Sequence, residues 1–181
     1  MALINPVQPE QAEGIIQEAY DYFMDRIGTI PKALEMLSVS PALFEIQFRR
    51  IQYLSRHPRL SFSLLAHIRY LVARSLNYQF CTDFNRHVLQ KQGVTEDDFQ
   101  RMEKDPSQSL LEDHESAMLV FVVKSTGDPD SVTKDEVENL QKMGWKDRDI
   151  VDALSQGVSM IDHSIMMQVL QMDQNCLFKA E

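Results

Sequence analysis

The chain has 181 residues, of which 44% are apolar and 25% charged, with a formal net charge of −9. That size and balance fit one globular domain with a substantial core and exclude a largely disordered chain. The acidic balance argues against a sequence-independent nucleic-acid binder and against docking on an anionic membrane surface, both of which need Lys and Arg. Two cysteines, Cys81 and Cys176, are too few for a disulfide framework and fit a reducing, cytoplasmic setting. No basic run followed by an apolar run opens the sequence, so no secretory signal is expected, and the apolar stretches are short of a membrane span.

Helical periodicity dominates. A helix is predicted from Glu10 to Ile27, with Ile15, Ile16, Ala19, Tyr20, Phe23 and Met24 on one stripe and Gly28 as its stop. Pro31 opens a short helix to Met36 or Leu37. Ser40 and Pro41 read as an N-cap and first position of a helix carrying Phe44, Phe48, Ile51 and Leu54. Ser61 or Ser63 caps the next, which runs to about Leu76, and Asn77 breaks it. A further helix carries Cys81, Phe84, Val88 and Leu89 and closes at Gly93. Thr95 with Asp98 resembles a capping box and starts a short helix to Lys104.

After Pro106, a helix is predicted from Leu110 to Ser125, closed by Gly127-Asp128-Pro129. Thr133 with Glu136 is a capping box for a helix ending at Gly144. The last helix is predicted from Asp147 to Met172. Four of the six glycines thus fall where periodic segments stop, and this agreement between period and punctuation points to an all-α domain of eight to nine helices. A single domain over 1–181 is expected, with 1–60 as an N-terminal helical extension and 173–181 as a tail.

The stretch from Leu71 through Asn77 and Tyr78 to Cys81 resembles the redox segment of the carboxymuconolactone decarboxylase / AhpD-like family. There an alanine-rich helix ends at an Asn and Cys-x-x-Cys-x-x-x-His opens the next. Residues Glu115 to Asp152, with Ala117, Phe121, Lys124, Asp128-Pro129, Val132-Thr133, Gly144-Trp145 and Asp149-Ile150, are similar to the downstream half of the longer, peroxidase-related members. Gly28-Thr29-Ile30-Pro31 and Pro41-Ala42-Leu43 also suit them. The resemblance implies an all-α AhpD-like domain, a homo-oligomer (dimer, trimer or hexamer), and a thiol peroxidase or disulfide reductase without cofactor. In the family the thiolate attacks, a Glu and a His relay protons, and the second thiol resolves the intermediate.

Carried over residue by residue, the first cysteine position is Tyr78 and the second is Cys81. The histidine position is Asn85, and the glutamate position is Ala66 with His67 beside it. Tyr78 cannot close a disulfide, and Asn85 cannot carry a proton near neutral pH. Cys81 is therefore the expected nucleophile of a one-cysteine site, set against the plain alternative of a buried small hydrophobe. His67 is the expected base in place of the glutamate, although one residue of offset is about 100° of helix rotation. Tyr78, Asp83, Asn85, His87 and His163 are expected near the pocket or at motif positions. Cys176 resolves Cys81 only by folding back or from a neighbouring subunit, and an incidental thiol is the simpler reading. No metal spacing and no phosphate-binding glycine loop is present; no histidine has Glu three residues before it, as a di-iron bundle requires.

Two functions follow. The first is an AhpD-like thiol-dependent enzyme with an external thiol reductant. The second is an inactive family member whose scaffold binds a small apolar ligand or a partner. A lactone decarboxylase ranks last, since no set of acid–base groups stands out. The last helix, rich in Val158, Ile161, Ile165, Met166, Val169 and Leu170, is apolar around much of its circumference, as expected for burial within or between subunits.

Overall fold

The structure, a computed structural model, describes residues 2–172. Among these residues the chain is all-α, with no strand: α1 (Gly14–Ile27), α2 (Lys32–Leu37), α3 (Pro41–Ser55), α4 (Phe62–Ser75), α5 (Gln79–Lys91), α6 (Glu96–Lys104), α7 (Asp113–Gly127), α8 (Lys134–Lys142) and α9 (Asp147–Val169). Three short 3₁₀ turns, each opened by proline, punctuate the sequence at Pro9–Gln11, Pro106–Gln108 and Pro129–Ser131. Cys176 and the expected tail lie outside the described residues.

The caps explain most of the boundaries. Gly28 ends α1 in the left-handed region, at φ +71°. The Ser61 hydroxyl accepts from the Leu64 amide at 2.9 Å, so Ser61 and not Ser63 caps α4. Thr95 with Asp98 and Thr133 with Glu136 form complete capping boxes at α6 and α8. Three expected boundaries are corrected. The helix predicted from Glu10 starts at Gly14, because the chain first turns through a 3₁₀ segment and then passes through extended Ala12 and Glu13. The helix predicted from Leu110 starts at Asp113, after extended Glu112. The last helix stops at Val169 rather than Met172: Gln171 turns left-handed, at φ +53°, and the Met172 amide donates back to the Met167 carbonyl.

The chain divides into two compact units. The first holds α1, α2 and α3 with the end of α9. Its core is aromatic: Tyr20, Tyr22, Phe23, Phe44 and Phe48 meet edge-on or tilted, and the Tyr20 hydroxyl donates to the Val7 carbonyl. Near its chain start, the Leu3 amide donates to the Leu170 carbonyl.

The second unit holds α4 to α8 and most of α9. Helix α4 is its axis, buried from Leu64 to Ile68 and from Tyr70 to Ala73, and it packs against both α5 and α7. Tyr70 ties α4 to α6 and α5: its hydroxyl donates to Glu103, it accepts from Arg86 at 3.1 Å, and its ring lies 5.0 Å from that of Phe99. Gly157 on α9 allows a close approach to α7, since a Cβ there would sit 2.6 Å from Val122 Cγ1 and 3.0 Å from Thr126 Cγ2.

Candidate active site

The turn between α4 and α5 seats Cys81. Asn77 takes the left-handed conformation, at φ +54°, which asparagine tolerates better than most residues. The Tyr78 amide then donates back to the Ala73 carbonyl at 2.9 Å, closing α4 with the six-to-one bond of a Schellman motif. Tyr78 is buried and serves as the N-cap residue of α5, which begins at Gln79. Cys81 is the third residue of that helix and is half-buried. Its backbone amide belongs to the first turn, where the helix has no internal acceptors and the dipole favours negative charge.

A guanidinium is bonded into this neighbourhood. On α4, Arg69 donates through Nε to Asn85 Oδ1 at 2.8 Å, and Asn85 in turn donates through Nδ2 to the Cys81 carbonyl at 2.8 Å. Asn85 is buried and lies one helical turn beyond Cys81, so this chain of bonds holds the Arg69 head beside the first turn of α5. Burial pushes the Arg69 guanidinium down to about 10, opposed by the charge Cys81 carries as a thiolate. Arg69 stays cationic at neutral pH, and among the described residues no carboxylate pairs with it. Its guanidinium carbon lies over the exposed ring of Phe62, 5.9 Å from the ring centre.

Sequence reasoning passed over Arg69. Its signal was present: a charged residue in the middle of a run from Leu64 to Ala73 whose other members are all buried. Such a residue needs either a partner or a role.

His67 stands elsewhere. It is 1% exposed, its Nδ1 lies 2.9 Å from the Ser63 carbonyl, and its buried Nε2 has no hydrogen-bond partner among the described residues. Two residues along α4 are about 200° of rotation, so His67 and Arg69 point to opposite sides of the helix. Glu115, on α7, acts on His67 through its charge. Burial lowers its pKa, with the Ser63 bond and Glu115 opposing. Because the folded pKa lies below the ordinary 6.5, the unfolded chain binds the proton first as pH falls. His67 is thus expected to leave stability unchanged above pH 6.5 and to cost stability progressively below it. Urea midpoints measured from pH 7.5 to 5 should fall less steeply in His67→Gln than in wild type; equal slopes would refute this.

The remaining expected positions scatter. Asp83 accepts from Gln79 Nε2 at 2.7 Å, an exposed pair along α5. His87 is half-buried further along the same helix. His163 is buried on α9 while its neighbour Asp162 is exposed, so the two do not point together. The structure therefore brings Tyr78, Cys81 and Asn85 into one neighbourhood with Arg69, and it turns His67 toward α7. No group of three or more metal-ligating side chains occurs among the described residues. No helix among them is long and apolar enough to cross a membrane.

No protein-family model matches the sequence, and no curated protein is similar to it. Solved structures do match. One is an uncharacterized peroxidase-related protein from Silicibacter sp. TM1040, at 16% identity and a TM-score of 0.72, over 93% of this chain and 86% of that one. Another is described as an alkylhydroperoxidase AhpD core, an uncharacterized peroxidase-related protein from Ralstonia eutropha JMP134, at 18% identity and a TM-score of 0.74, over 94% and 90%. The fold is AhpD-like. At these identities the likeness is one of architecture, and the chemistry must be argued from this chain's own AhpD-like scaffold and the side chains on it.

Proposed function

We propose that the protein is an AhpD-like, one-cysteine thiol peroxidase or disulfide reductase with Cys81 as its nucleophile. The observation that supports this is the Arg69–Asn85–Cys81 chain, which runs from a guanidinium to the backbone carbonyl of a cysteine in the first turn of a helix, with Arg69 near enough to feel the charge of the Cys81 thiolate. Both features favour thiolate over thiol, and the thiolate is the nucleophile. With a peroxide, the Cys81 sulfur attacks one oxygen and the O–O bond breaks. An alcohol leaves after taking up a proton, and the sulfur is left as a sulfenate. An external thiol then condenses with the protonated sulfenic acid, releasing water and forming a mixed disulfide. A second external thiol attacks the outer sulfur of the mixed disulfide, releasing Cys81 as a thiolate, and the two external thiols leave as a disulfide, having supplied the two electrons. The net reaction consumes one peroxide and two thiols. A reducing compartment such as the cytoplasm supplies those thiols. No step needs Tyr78 to be a cysteine, which accounts for a site without the family's first thiol.

The test is the rate of Cys81 alkylation against pH, with peroxide turnover measured alongside in the presence of a dithiol. The expected midpoint lies below the ~8.5 of an ordinary thiol, and Arg69→Gln moves it upward. An ordinary midpoint together with no turnover would end the proposal.

A second reading, an inactive scaffold that binds a small ligand, is favoured by an open cleft of about 420 Å³ between α7 and α8. Ala117, Val120, Phe121, Leu140 and Met143 line it together with the polar Asp113, Ser116, Glu136 and Asn139. Under this reading Cys81→Ser binds the ligand as well as wild type does. Either reading is proposed for a homo-oligomer. Val151 and Val158, seven residues apart on α9, are 63% and 47% exposed, which supports a neighbouring copy; light scattering that finds a monomer removes that part.

A further inference from the structure

We infer that the substrate reaching Cys81 carries an anionic group, a carboxylate, on an apolar body, with Arg69 holding the anion and Phe62 and Phe84 flanking the rest. This deepens the preceding proposal and rests on Cys81 being the reacting thiol. The argument begins with the hydrogen-bonding capacity of Arg69. A guanidinium has five N–H donors in a planar fork that matches a carboxylate. Here Nε is spent on an uncharged amide, Asn85, and no carboxylate among the described residues answers the Nη groups. A half-buried cation with an uncharged partner is costly unless an anion visits it. Cys81 supplies negative charge as thiolate, yet once its sulfur is consumed in a mixed disulfide that charge is gone, while the guanidinium stays held by Asn85, whose amide bonds the Cys81 carbonyl.

The surroundings fit an amphipathic visitor. Phe62 is 57% exposed and lies against the Arg69 head. Phe84, one turn beyond Cys81 on α5, is half-buried and stacks parallel to Phe80 at 6.5 Å. Asp83 lies about 200° round α5 from Cys81 and is engaged with Gln79, so it does not oppose an anion at the thiol. The protein as a whole carries −9 and repels anions, so a preference for one must come from a local cation.

The experiment compares two aromatic disulfides: dithiobis(nitrobenzoate), which bears carboxylates, and neutral dithiodipyridine. In each, the Cys81 thiolate attacks one sulfur, a new S–S bond forms as the old one breaks, and an aromatic thiolate leaves and is read by its colour. Rates are taken on the full chain above the alkylation midpoint, so that the thiolate fraction is equal, with Cys81→Ser as the blank for Cys176. Each rate is divided by that of a small free thiol. The expected anionic-to-neutral ratio is about tenfold higher for the protein than for the small thiol, the value of one charge-assisted pair. It falls to the small-thiol ratio in Arg69→Gln, is partly kept in Arg69→Lys, and declines with added salt in wild type. The salt series needs no variant to fold. Reaction with both reagents at the small-thiol ratio, insensitive to salt, overturns the anionic substrate while leaving Cys81 as a reactive thiol. Reaction with neither reagent ends the thiol reading and this inference with it.

Discussion

Replacing Cys81 by serine is expected to abolish peroxide-dependent oxidation of a dithiol, lowering the rate by at least about a thousandfold. A serine hydroxyl at the same place keeps the volume and the fit to a helix start, but it is not ionised near neutral pH and forms neither a sulfenate nor a mixed disulfide. The substitution should leave the fold intact. Cys81 is the third residue of α5 and half-buried, and short polar side chains are well tolerated in a first turn. Circular dichroism and the urea midpoint of the variant should therefore match wild type. Serine thus separates chemistry from scaffold, which a larger residue would not do. Turnover that survives in Cys81→Ser would move the activity to another group and withdraw the role given to Arg69 with it.

The second large effect concerns stability. Arg59→Ala is expected to destabilise the unit formed by α4 to α9 by about 3 kcal/mol, the low end for breaking a buried ion pair. Arg59 Nε donates to Asp149 Oδ2 at 2.8 Å, its Nη2 donates to the Gly144 carbonyl at 2.6 Å, and its head lies 5.3 Å from the Trp145 ring. Asp149 is 0% exposed and sits in the first turn of α9, where its Oδ2 also accepts from the Lys146 amide at 3.0 Å. The Trp145 indole in turn donates to the His114 carbonyl at 2.9 Å. Arg59 therefore ties the α8–α9 turn to the start of the longest helix, with Arg148 Nη2 more loosely placed, 3.8 Å from the other Asp149 oxygen. Alanine in place of Arg59 leaves a carboxylate with little access to water. The low end applies because Arg59 itself is 38% exposed and partly screened. Asp149→Asn is expected to cost less, since the guanidinium it leaves behind can reach solvent. Urea unfolding with an unchanged m-value checks both. Equal losses, or a loss under about 1 kcal/mol for Arg59→Ala, would contradict this account.

These two residues differ in how plainly the sequence announces them. Cys81 stands in a segment similar to a redox motif, so it attracts notice before any coordinates exist. Arg59 and Asp149 are 90 residues apart, and nothing local pairs them. The same holds for Arg69 and Asn85. In sequence Asn85 marks only the absence of a histidine; in the fold it links a guanidinium to the Cys81 carbonyl. His67 lies one residue from the motif position, and along α4 it stands about 200° from Arg69 and feels the charge of Glu115 on α7.

By itself the sequence determined the helices and most of their ends. The 3.6-residue period marks which face of each segment is apolar, and a cap such as Thr133 with Glu136 or a stop such as Gly28 acts within three or four residues of its own position. That information is local, so a linear reading captures it. Only the tertiary structure decided which side chains meet. The partner of Arg69 depends on how α4 is rotated against α5, and that rotation is set by the packing of Tyr70, Phe99 and the other core residues, distributed along the chain. One residue of offset along a helix turns a side chain by about 100°, enough to exchange a thiol's neighbour for a residue facing another helix.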